Sequence, residues 1–230
     1  MKIFPAVTTI FDWRSKLKEV KELNLKEVAL FLTCANYEER QEIYDFLKET
    51  KIEKVPFAHI RTDMQMEEME YLIKIYHTEV FNIHTKREYQ YPADYEKYKK
   101  MIYIENTYEP FDEKEIKDFA GICLDVAHLE NSRIFKPELY NHNIKVIEKY
   151  GCGCNHISPT KNFSLYDVKK EDESENWNAH VLDNLSQLDY LKSYPKKYFG
   201  KLAAIEMENS IKDQLKARDY MLKLLGQAAS

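Results

Sequence analysis

The sequence predicts an α/β chain, a closed (β/α)8 barrel in which eight parallel strands are each followed by a helix, and three observations predict it. Apolar runs of about five residues alternate with charged amphipathic segments along the whole chain. The runs are continuously apolar rather than alternating, as strands buried on both faces are. Eight such units in 230 residues take about 29 residues each, the length that eightfold βα alternation needs. A doubly wound open sheet is the rival architecture. No Gly-rich phosphate loop follows the first strand, however, and the chain has only five glycines.

The first unit is a weak strand at 2–6 (KIFPA) with a helix at 15–23, and the second a strand at 27–32 (EVALFL) with a helix at 36–50 that Asn36 can cap. The third and fourth are VPFA at 55–58 with a helix at 66–76, and EVFNI at 79–83 with a shorter helix near 93–100. The fifth is MIYI at 101–104 with 113–119, and the sixth ICL at 122–124 with 137–149. The seventh is 152–157, followed by a long polar insertion at 158–181 and then 183–193; the eighth is LAAI at 202–205 with the closing helix 211–225. The insertion, which contains KKEDESENWN, has the length of a rim loop rather than a domain, so residues 1–230 are expected to form one domain.

Composition sets the class. With 44% hydrophobic and 32% charged residues the chain can bury a full core. No window of 18 uncharged apolar residues exists and the N-terminus lacks a signal-peptide pattern, so a cytoplasmic protein with no membrane partner is expected. The four cysteines, Cys34, Cys123, Cys152 and Cys154, form no disulfide framework and read as reduced thiols. A formal net charge of −5, with Lys and Arg spread along the chain, argues against an extended nucleic-acid surface.

Reacting groups in such a barrel come from the C-terminal ends of several strands, which converge on one open face. Those ends here carry His59, His84, Glu105, Asp125 with His128, His156 and Glu206. His77 and His142 fall elsewhere, at a helix end and on a helix surface. Each residue alone suits a structural role, as a hydrogen-bonded histidine or a helix cap. The set does not, because burying three carboxylates around one axis costs several kcal/mol per uncompensated charge unless cations neutralise them. Carboxylate with imidazole suits a divalent metal, Mn²⁺, Co²⁺, Fe²⁺, Zn²⁺ or Mg²⁺.

IENT at 104–107, CLDVAH at 123–128, CNHISPTK at 154–161 and IEMEN at 205–209 occur in the order of one superfamily. In these stretches the sequence resembles the xylose-isomerase-like TIM barrels, which include sugar and sugar-phosphate isomerases and epimerases together with endonuclease IV. The resemblance spans nearly the whole chain, with its specificity in the second half. It implies a metal site of Glu105, Asp125, His156 and Glu206, with Glu105 and Glu206 as the catalytic acid/base pair and His128 on a substrate oxygen. The endonuclease branch implies further metal or substrate positions, with His59, His84 and Glu105 in one group and His128, Asn178 and His180 in another, and Lys161 near a phosphate. The chain departs from that branch at Asn178, where an aspartate is usual.

The chain is also short for that branch and negatively charged, where binding to the DNA backbone needs clustered cations. The expectation is therefore a metal-dependent sugar or sugar-phosphate isomerase or epimerase, with an endonuclease IV-like phosphodiesterase or a non-catalytic metabolite-binding barrel as alternatives. Arg61 and Lys86 with Arg87 suit either a clamp on a substrate anion or a solvated rim. Trp13 and Trp177 are candidate aromatic residues over the pocket mouth, and a homo-oligomer is expected from the resemblance.

Overall fold

The computed structural model describes residues 1–90, 95–160 and 180–226. Nine strands form one all-parallel sheet in the order β1-β9-β8-β7-β6-β5-β4-β3-β2, which curls into a nearly closed barrel. β1 (Lys2–Phe4) and β2 (Ala6–Thr8) are the two halves of the expected first strand, divided at Pro5. Proline has no N–H to donate to a ladder, so the break falls there. β1 pairs with β9 (Leu202–Ile205), while β2 pairs with β3 (Ala29–Phe31), so one divided strand joins the last unit to the second.

The remaining strands are β4 (Phe57–His59), β5 (Val80–His84), β6 (Ile102–Glu105), β7 (Gly121–Asp125) and β8 (Cys154–Ile157). Around them lie α1 (Trp13–Glu22), α2 (Tyr37–Lys48), α3 (Met66–Tyr76), α4 (Glu113–Asp118), α5 (Val126–Phe135), α6 (Pro137–Tyr150) and α7 (Ile211–Leu224). Caps fix several starts: Asp12 accepts from Ser15 N, Asn36 and Glu39 form a capping box, and Ser210 accepts from Asp213 N.

Alternation along each strand separates two cores. Phe4, Ala29, Phe31, Phe57, Val80, Cys123, Cys154 and Ala204 fill the barrel interior. Leu30, Ala58, Phe81, Ile104, Leu124 and Ile205 belong to the larger cluster shared with the helices. Both faces of the sheet are thus apolar, which accounts for the unbroken hydrophobic runs.

Three expectations change. α5 follows β7 directly, because Asp125 caps it through a bond from His128 N of 2.7 Å; without that cap in view, 126–135 has only a weak helical pattern. The helices expected at 93–100 and 183–193 are 3-10 segments, Glu96–Met101 and Leu185–Ser193. Residues 93 and 94 lie outside the described residues. Trp13 is not at the mouth. It begins α1, is only 4% exposed and packs in the outer core with the Arg14 guanidinium over its ring.

Beyond the β1–β9 pairing, the seam beside β2 is completed by side chains. Ala6 has no strand partner on the β9 side; instead its N–H donates to Gln214 Oε1 at 2.6 Å and its carbonyl accepts from Gln214 Nε2 at 3.0 Å. At the mouth the buried Lys16 ammonium pairs with Glu208 at 2.6 Å and bonds Thr8 Oγ1, while Thr8 also donates to Glu208. These contacts hold the segment after β9, and with it Glu206, against β2.

Candidate metal centre

Parallel pairing brings the strand exits to one end of the barrel, stepped by two residues from Glu105 to Asp125 and His156 and by two more to Glu206. His84 is in register with Glu105 and Asp125 with His156, and Glu206 N donates to Ile157 O beyond the last paired residues. Glu105, Asp125, His156 and Glu206 each offer a donor atom within 4.8 Å of the others, and His59, His84 and Glu105 do the same. Glu105 belongs to both groups. Its Oε1 is 3.2 Å from His156 Nδ1, and its Oε2 is 2.9 Å from His59 Nε2 and 3.8 Å from His84 Nε2. Glu206 Oε2 lies 3.5 Å from the same His156 Nδ1, so the two glutamates meet at that nitrogen.

Several of these donors are buried without a hydrogen-bond partner. Asp125 Oδ2, Glu206 Oε2, His180 Nδ1 and both ring nitrogens of His156 are in this state. Buried polar atoms are nearly always satisfied, so these donors call for an explanation; His156 Nδ1 is within ion-pair range of Glu105 and Glu206 but makes no aligned hydrogen bond. Carboxylate and imidazole donors gathered within 4.8 Å of one another could hold a divalent cation.

The electrostatics of the protein without metal point the same way. Burial pushes the Asp125 carboxyl well above its ordinary value, with the Glu206 and Glu105 charges adding to it. Burial also opposes ionisation of Glu105, but His156 and His59 outweigh it and hold its pKa well below the ordinary carboxylate range. Glu206 is likewise opposed by burial and drawn down to about 2 by His156 and His180. Burial lowers His84 to about 4, leaving a neutral imidazole at neutral pH, the form that ligates metal. A proton on Asp125 thus removes one of the buried negative charges that a cation would neutralise.

The other expected site residues surround this centre. His128, in the first turn of α5, has Nε2 3.9 Å from Asp125 Oδ2 and the Tyr108 ring edge-on at 5.2 Å. His180 Nδ1 is 3.9 Å from Glu206 Oε1, and its carbonyl accepts from Glu208 N. Arg61 lines a cavity of about 290 Å³ with Thr33, Thr62, Tyr89, His59 and His84; Asp63 lies 3.3 Å from its Nε. Lys86 is exposed, its backbone N–H bonded to Glu115, and Arg87 is 4.0 Å from Asp112. Lys161, Trp177, Asn178 and most of the 158–181 insertion lie outside the described residues.

Sequence reasoning missed the amides around the donors. Asn82 Nδ2 donates to Glu105 Oε2 at 2.7 Å. Asn106 bonds the Asp125 backbone twice, accepting from its N–H at 2.8 Å and donating to its carbonyl at 2.9 Å, which continues the β6–β7 ladder past its last pair. Asn209 does the same for Leu182, at 2.6 and 2.9 Å, next to His180. Two of these stand inside quoted stretches, Asn106 in IENT and Asn209 in IEMEN, and Asn82 stands two residues before His84. Glu88, whose carboxylate accepts from Thr107 and lies 3.8 Å from His84 Nδ1, was also missed. No protein-family model and no curated protein matches this chain, so the functional reading rests on the centre itself.

Proposed function

We propose that this chain is a divalent-metal-dependent isomerase or epimerase acting on a small hydroxylated carbonyl compound, a sugar or sugar phosphate, as the isomerases and epimerases among the xylose-isomerase-like barrels are. The observation that carries the reading is the meeting of Glu105, Asp125, His156 and Glu206 within 4.8 Å at the C-terminal ends of adjacent strands. Glu105, Asp125, His156 and Glu206 would hold a divalent cation, which would supply Lewis acidity to a substrate carbonyl and so acidify the C–H of the adjacent hydroxyl-bearing carbon. Glu206 and Glu105, both against His156 Nδ1, are the groups that take this proton and return it. His128 donates to a substrate oxygen at the rim. Arg61 and Tyr89 line a cavity at the lower end of the size range of small-molecule sites, which suits a single sugar rather than a polymer. The four cysteines are free, in keeping with a cytoplasmic protein, and among the described residues no helix is long and apolar enough to cross a membrane.

The test is turnover of a panel of ketoses and sugar phosphates with Mn²⁺ or Co²⁺. Glu206→Gln is expected to lower kcat by at least ~100-fold, the scale of general acid–base catalysis. Unchanged turnover in this variant removes the proton-transfer role. A second reading, a phosphodiesterase, is favoured by one feature: Glu105 is shared with His59 and His84, so two cations could be held side by side, as in many hydrolytic centres. Two metal ions per chain together with incision of an abasic DNA duplex would establish it in place of the first.

A further inference from the structure

Asn82 is the middle residue of β5, and its side chain faces the barrel interior between His59 and Glu105. It is wholly buried. Its amide nitrogen donates to Glu105 Oε2, but its carbonyl oxygen has no hydrogen-bond partner. As a packing residue it is a poor choice, since a buried amide oxygen left unpaired costs ~1–3 kcal/mol and an apolar side chain of the same size avoids that cost. Among the described residues, the one hydrogen bond its side chain makes goes to the carboxylate that both donor groups share. Glu105 is thereby held from three sides, by Asn82 and His59 at Oε2 and by His156 at Oε1.

We infer that Asn82 is a positioning residue of the metal centre: its amide fixes the Glu105 carboxylate in the orientation that presents one oxygen to each donor group, at the expense of barrel stability. The inference rests on the metal reading of the centre. Outer-sphere partners that orient a ligand typically change metal affinity by ~10–100-fold when removed.

The experiment is titration of chelator-stripped protein with Zn²⁺, for the natural sequence and Asn82→Leu, with the Tm of each measured in chelator. Asn82→Leu is expected to bind Zn²⁺ ~10–100-fold more weakly while melting, metal-free, at or above the temperature of the natural protein. A purely structural asparagine would give the opposite pattern, a lower metal-free Tm with Zn²⁺ affinity unchanged. Asn82→Ala, smaller in every direction, replaces the leucine variant should that fail to fold, and the same loss of affinity is expected. Affinity within twofold of the natural protein overturns the role of Asn82 and leaves the centre standing. Absence of Zn²⁺ binding by the natural protein overturns the centre and this role with it.

Discussion

Asp125 has two carboxylate oxygens with different duties. Oδ1 caps α5, and Oδ2 points into the centre without a partner. Burial and the Glu206 and Glu105 charges raise its pKa in the metal-free protein, so its ionised form is a cost there. A carboxyl raised on folding contributes stability that is complete below its ordinary value of 3.8 and is lost as pH rises through the raised value. Asn at this position keeps the cap and does not titrate. In chelator, the Tm of Asp125→Asn minus that of the natural protein should therefore be flat below about pH 4 and grow as pH rises beyond it. A difference that does not change with pH would show that Asp125 ionises freely. The acid itself was legible, because a carboxylate ending an apolar run is chemically conspicuous. Asn82, Asn106 and Asn209 were not, because an asparagine in a sequence shows neither what it bonds nor whether it is buried.

Strands were legible as elements because burial on both faces leaves uninterrupted apolar runs, and every expected strand has a counterpart. Local chemistry that competes with pattern was harder to read. Pro5 divides the first strand, and 126–135 becomes helix through the Asp125 cap despite a weak periodicity. Gln214 shows the same limit from the other side: on α7 it looks like a surface amide, yet it is buried and takes the place of a missing strand neighbour for Ala6. It also donates to Met207 O at 3.1 Å. Gln214→Leu keeps the bulk and leaves these backbone groups unpaired, and leaving buried polar groups unpaired costs ~1–3 kcal/mol each. A loss of at least ~2 kcal/mol is expected, a fall in Tm of roughly 4–8 °C for a chain of this size. Denaturant or thermal unfolding checks it, and an unchanged midpoint would mean that β1 and β9 close the barrel without the amide.

At the scale of the molecule, the barrel converts sequence distance into proximity. Glu105, Asp125, His156 and Glu206 lie at the C-terminal ends of four adjacent strands, β6 to β9, stepped in register yet with donors within 4.8 Å of one another. In the unfolded chain these donors are scattered, so a cation that ties them together binds the folded form almost exclusively and stabilises it by mass action. With Zn²⁺ or Mn²⁺ at about 100 times its dissociation constant the gain is ~2.7 kcal/mol, which for a chain of this length raises Tm by roughly 5–11 °C over the chelated protein. Glu105→Gln removes the donor common to both groups and should abolish most of that rise, while Glu148→Gln, on the surface of α6, should leave it intact. A melting temperature indifferent to chelator and to saturating Zn²⁺ or Mn²⁺ would mean that the converging lone pairs hold no cation, and that protons and histidines alone balance the buried carboxylates.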